Sequence, residues 1–99
     1  MIKLTFELNK EIMRFRIDWK SIYYSDRLWQ NELRCVPRDE NFIAKIRNSR
    51  NKYSAKLIDA FSLNQAQQAE YDSAKNEEEI ANIIIRDMTK KGGKLIKRE

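Results

Sequence analysis

Two short segments alternate strictly between apolar and polar residues, and nothing else in the chain constrains the fold as much. Ile2, Leu4, Phe6 and Leu8 share one parity, with Lys3, Thr5 and Glu7 between them; Met13, Phe15, Ile17 and Trp19 share another, with Arg14, Arg16 and Asp18 between them. Successive side chains of an extended strand point to opposite faces, so a period of two reads as a strand with one buried and one wet face. Two such runs joined by polar residues predict an N-terminal β-hairpin. Pairing Leu8 with Met13 sets Glu7 opposite Arg14 and Lys3 opposite Asp18, and it keeps Trp19 on the buried face. Complementary cross-strand charges contribute a few tenths of a kcal/mol per pair. That register is therefore expected in preference to the tighter one, which pairs Leu8 with Glu11.

Residues 21–36, SIYYSDRLWQNELRCV, admit either a strand or a short helix capped by Ser25, with Leu28, Trp29 and Leu33 inward; Pro37 then punctuates the chain. Residues 39–61 read as a helix. Phe42, Ile46, Tyr53 and Leu57 fall within about 60° of one another at 100° per residue, and Asp39 and Glu40 sit at the favourable N-terminal end. The weak helix formers of NSRN, 48–51, offer a place for it to kink. Ser62 and Gln65 have the spacing of a capping box, which starts a peripheral helix over 63–74. Asn76 with Glu79 repeats the signal. The helix that follows has Glu77, Glu78 and Glu79 in its first turn, an apolar stripe of Ile80, Ile83, Ile84 and Met88, and Arg86, Lys90 and Lys91 near its end. That charge order matches the helix dipole, and Gly92-Gly93 ends it. The expected fold class is α+β: an N-terminal β-hairpin, with residues 94–98 available as a short C-terminal edge strand, packed against three or four α-helices in a single domain, 1–99.

The chemistry of the chain is narrowed by what its sequence lacks. There is no histidine and one cysteine among 99 residues. Histidine-based acid–base and nucleophile chemistry, thiolate zinc sites and iron–sulfur clusters therefore fall away. The lone Cys35 cannot form an internal disulfide, which suits a reducing cytoplasm. No apolar run approaches the ~18 residues that a membrane span needs, and the opening MIKLTFELNKE carries charge throughout, unlike a signal peptide. A carboxylate metal site at Glu7 and Asp18 would need both acids within ligand reach. In the expected register they stand four residues apart, roughly 13 Å at ~3.3 Å per residue. The glycines of KKGGK follow a helix, whereas a phosphate loop precedes one. No catalysis, no cofactor and no metal are expected.

Binding remains. The chain carries 20 Lys and Arg against 15 Asp and Glu. Its most basic stretch, KIRNSRNKYSAK, places Lys45, Lys52 and Lys56 within about 40° on a helical wheel, a stripe about 16 Å long at 1.5 Å per residue. With Arg47 and Arg50 beside them, these residues are the expected contacts to a nucleic acid or nucleoprotein. The same lysines also suit the solvated side of an ordinary helix. The alternative is a protein–protein adaptor or inhibitor. It would use Tyr23, Tyr24, Arg27 and Trp29, residue types that anchor interfaces, in a compact basic chain of the kind that phages and mobile elements encode. An exposed edge strand would further permit a homodimer.

Overall fold

The computed structural model describes residues 1–27, 32–36 and 65–99. Their centre is a five-stranded antiparallel sheet built from β1 (Ile2–Leu8), β2 (Glu11–Asp18), β3 (Ser21–Asp26), β4 (Leu33–Val36) and β5 (Lys94–Arg98), in the order β4-β3-β2-β1-β5. Two helices are described, α1 (Gln65–Ser73) and α2 (Glu77–Lys90). The first four strands form a meander, and the chain then returns through α1 and α2 to lay β5 against β1.

The alternating residues do what their period predicts. Leu4, Phe6, Met13, Phe15 and Ile17 are buried on one face of the sheet, joined by Ile22 and Tyr24 of β3. Phe6, Phe15 and Tyr24 run across three strands as edge-to-face pairs, with ring centroids 5.6 and 5.3 Å apart. Such pairs add about 0.5–1.5 kcal/mol beyond their area burial. Helix α2 packs across β1, β2 and β5 on this face, burying Ile80, Ala81, Ile84 and Met88. The Asn76 side chain caps it, accepting the Glu79 N–H at 2.9 Å. Its end is a Schellman turn: Gly92 takes φ 88°, its N–H reaches Thr89 O at 3.0 Å, and the Gly93 N–H reaches Met88 O at 2.8 Å.

Three expectations are corrected. The first is the architecture, because a hairpin against three or four helices gives way to a five-stranded sheet with two helices among the described residues. Part of the difference lies in residues 21–36, whose segments Ser21–Asp26 and Leu33–Val36 are β3 and β4. Their alternation is masked by a polar group on the buried parity: Asp26 continues the inward series after Ile22 and Tyr24, and the Tyr24 hydroxyl donates to it at 2.6 Å. The second is the register. Leu8 pairs with Glu11, Glu7 with Ile12 and Lys3 with Arg16. A two-residue turn at Asn9-Lys10, with φ of 52° and 67°, closes the hairpin. Such turns, left-handed at both positions, match the strand twist, and that fit outweighs the few tenths of a kcal/mol in cross-strand charge pairs. The third is Trp19, which is not in the core. It opens the second two-residue turn, between Asp18 and its partner Ser21, at φ 53° and 48% exposed. The helix expected over 39–61 and the cap expected at Ser62 lie outside the described residues.

Candidate nucleic-acid interface

Pairing fixes which side chains share the face opposite α2. Partners in adjacent strands project to the same side, so the outward parity of β1 carries Lys3, Thr5 and Glu7; that of β2 carries Arg14, Arg16 and Asp18; and that of β3 carries Tyr23 and Ser25. Arg34 on β4 pairs with Tyr23, and Lys94 and Lys97 on β5 pair with Glu7 and Thr5. Glu99 extends β5 by exchanging backbone hydrogen bonds with Lys3 at 3.0 and 2.9 Å. Arg98, of the opposite parity, turns to the helix layer and pairs with Glu78. Lys3, Arg14, Arg34, Lys94 and Lys97 are all exposed.

A groove of about 370 Å³ crosses this face, lined by Lys3, Thr5, Arg14, Arg16, Ser25, Glu32, Lys97 and Glu99 together with the strand at Leu4 and Phe15. Its electrostatics are uneven. Glu32, just before β4, holds Arg16 in a fork, accepting from Nε at 3.0 Å and from Nη2 at 2.7 Å. The Arg16 guanidinium beside it keeps the Glu32 carboxyl below the usual carboxylate range. Arg16 also lies over the Tyr23 ring, 4.0 Å from its centroid. Lys97 pairs with Glu99 at 3.1 Å. Lys3 and Arg14 make no ion pair among the described residues. Lys3 stands directly opposite Arg16 across β1 and β2, an arrangement of like charges that Glu32 offsets from the side of Arg16. The face thus holds positive charge that the fold leaves partly unneutralised, next to the Thr5 and Ser25 hydroxyls.

Of the binding residues singled out from sequence, the structure describes Tyr23, Tyr24 and Arg27. Lys45, Arg47, Arg50, Lys52 and Lys56 lie outside the described residues, as does Trp29. Tyr23 and Tyr24 point to opposite sides of the sheet, the first half-buried on the open face and the second in the core. Arg27 is exposed at the end of β3. Glu7 and Asp18 do share the open face, but Glu7 pairs with Ile12, and Asp18 lies six residues further along β2. That separation is roughly 20 Å at ~3.3 Å per residue, beyond any shared ligand sphere. Among the described residues no group of acids and cysteine is arranged to hold a metal ion, and no helix is long and apolar enough to cross a membrane. The cationic face itself was present in the sequence as the outward members of the two alternating runs. Its extension over β4 and β5 was not, because it depends on pairings between distant segments. Comparison with protein-family models, curated proteins and solved structures finds no match for the chain.

Proposed function

We propose that this chain is a non-enzymatic docking protein that binds the phosphate backbone of a nucleic acid or nucleoprotein with the open face of its sheet. The carrying observation is the placement of Lys3 directly opposite Arg16, with Arg14 and Lys97 flanking Thr5 beside them. Glu32 offsets the charge of Arg16 and, more weakly, that of Lys3, but Arg14 makes no ion pair among the described residues, and a polyanion gains from each phosphate that such cations neutralise. The protein-adaptor reading is less well supported, since two of the aromatic residues it relies on, Tyr23 and Tyr24, lie on opposite sides of the sheet. A cytoplasmic site of action accords with a single buried cysteine that has no disulfide partner in the chain.

Glu32 supplies the test. Converting it to glutamine leaves Arg16 with only the longer ion pair to Asp18 at 3.9 Å and opens it to a phosphate, so E32Q should bind labelled DNA or RNA about threefold to tenfold more tightly in fluorescence anisotropy, in line with the ~1 kcal/mol typical of exposed charge pairs. Glu70→Gln makes the same change in net charge on the helix layer, where Glu70 pairs with Arg86, and should have much less effect. Arg14→Glu should weaken binding and flatten the dependence on salt by about one phosphate, a slope change near 0.9. Equal affinities for the wild type, E32Q and R14E would remove the sheet face as the binding site.

A further inference from the structure

We infer that the sheet face takes double-stranded DNA in preference to a single strand; this rests on the nucleic-acid reading above. Proteins that hold single strands do so largely by stacking unpaired bases on open aromatic rings, each stack contributing ~1–3 kcal/mol. On this face the ring contributed by the described strands is Tyr23, and its π-surface is already covered by the Arg16 guanidinium at 4.0 Å. The other rings of the first three strands, Phe6, Phe15 and Tyr24, are sealed in the core at 0–1% exposure, and the exposed Trp19 stands apart in the β2–β3 turn, where its backbone N–H donates to Glu77 of α2. What the face offers is charge and hydroxyl groups, which read phosphates and not bases.

The spacing of those charges suits a rigid duplex. Strands in a sheet lie ~4.8 Å apart. Arg14 and Arg16 on β2 are two strands from Lys97 on β5, and Lys3 on β1 is three strands from Arg34 on β4. The backbone positions that carry them are therefore about 10 and about 14 Å apart laterally, to either side of the ~12 Å width of the B-form major groove. Cations set on hydrogen-bonded strands have their backbones held at fixed spacings. They complement a ligand whose phosphate rows already stand at a fixed distance, because such a ligand loses little conformational freedom on binding. Glu32 and Glu99 limit the charge at the centre of the groove, so the contact is one of shape and backbone, without base preference.

The experiment compares a labelled 20-base-pair duplex with each of its separated strands by anisotropy, over a series of salt concentrations, using the full chain and R14E. The duplex should bind at least tenfold more tightly than either strand and show the steeper salt slope. Scrambling its sequence should change affinity less than threefold, and R14E should weaken the duplex complex. Equal or tighter binding of a single strand, sensitive to R14E, would overturn the duplex preference while leaving the proposed function in place. Absence of binding to all three DNAs at low salt, or binding indifferent to R14E, would overturn the duplex-DNA inference, and the same result with a labelled RNA would overturn the proposed function as well.

Discussion

Replacing Lys10 with glycine should make the protein more stable, and the sign of the change tests the hairpin register. Lys10 sits at φ 67°, next to Asn9 at φ 52°, in the turn that joins Leu8 to Glu11. A side chain in this left-handed region is destabilised by roughly 1–2 kcal/mol, because Cβ crowds the backbone carbonyl. Glycine escapes that crowding but gives the unfolded chain more freedom, a loss of about 0.5–1 kcal/mol. Lys10 is exposed and makes no ion pair among the described residues, so its side chain offers little to offset the gain. The net expectation is a stabilisation of about 0.5–1 kcal/mol. For a domain of this size 1 kcal/mol moves Tm by roughly 4–8 °C, so K10G should melt about 2–8 °C higher by circular dichroism, with a matching rise in the urea midpoint at unchanged slope. If Leu8 paired with Met13, residues 9–12 would form a longer loop that makes no such demand on Lys10, and glycine there would lower Tm. A Tm equal to or below wild type would therefore refute the two-residue turn and the placement of Lys3 opposite Arg16 that depends on it.

Two further outcomes follow from the core and the surface. Cys35 is buried, its thiol donates to the Ile22 carbonyl at 3.1 Å, and burial pushes its ionisation well above the ordinary range. It should stay unreactive toward a chromogenic disulfide reagent in native buffer and react fully once urea unfolds the chain; rapid native labelling would contradict its burial in β4 beside β3. Glu32 and Glu78 are both held below the ordinary carboxyl value of 4.5 by their arginine partners, Arg16 and Arg98. A carboxyl whose pKa is lower in the folded state binds fewer protons there than in the unfolded chain, so its stabilising effect is present above about pH 4.5 and fades as pH falls through the folded value. The urea midpoint should decline on the acid side of pH 4.5, and the decline should be shallower in the Glu32→Gln, Glu78→Gln double variant. An identical acid profile in that variant would show that neither pair is formed.

Several parts of this protein are legible without coordinates because they rest on local physics. The period-two runs specify β1 and β2 and which parity enters the core. Asn76, the acidic first turn and Gly92-Gly93 bound α2 as expected, since caps and dipole charges act within one turn of a helix end. The strand over 94–98 was also legible as an edge. Tertiary structure decided the rest. The hairpin register followed turn geometry over charge pairing. β3 joined the sheet although its buried parity ends in Asp26, because Tyr24 supplies a hydrogen bond to that carboxyl inside the core. The candidate interface is the most non-local feature of all. Lys3, Arg14, Arg34 and Lys97 come from four different strands, and only the pairing of β5 with β1 and of β4 with β3 brings them onto one face. Alternation in the sequence says which side of a strand a charge occupies; which other charges stand beside it is set by long-range strand pairing.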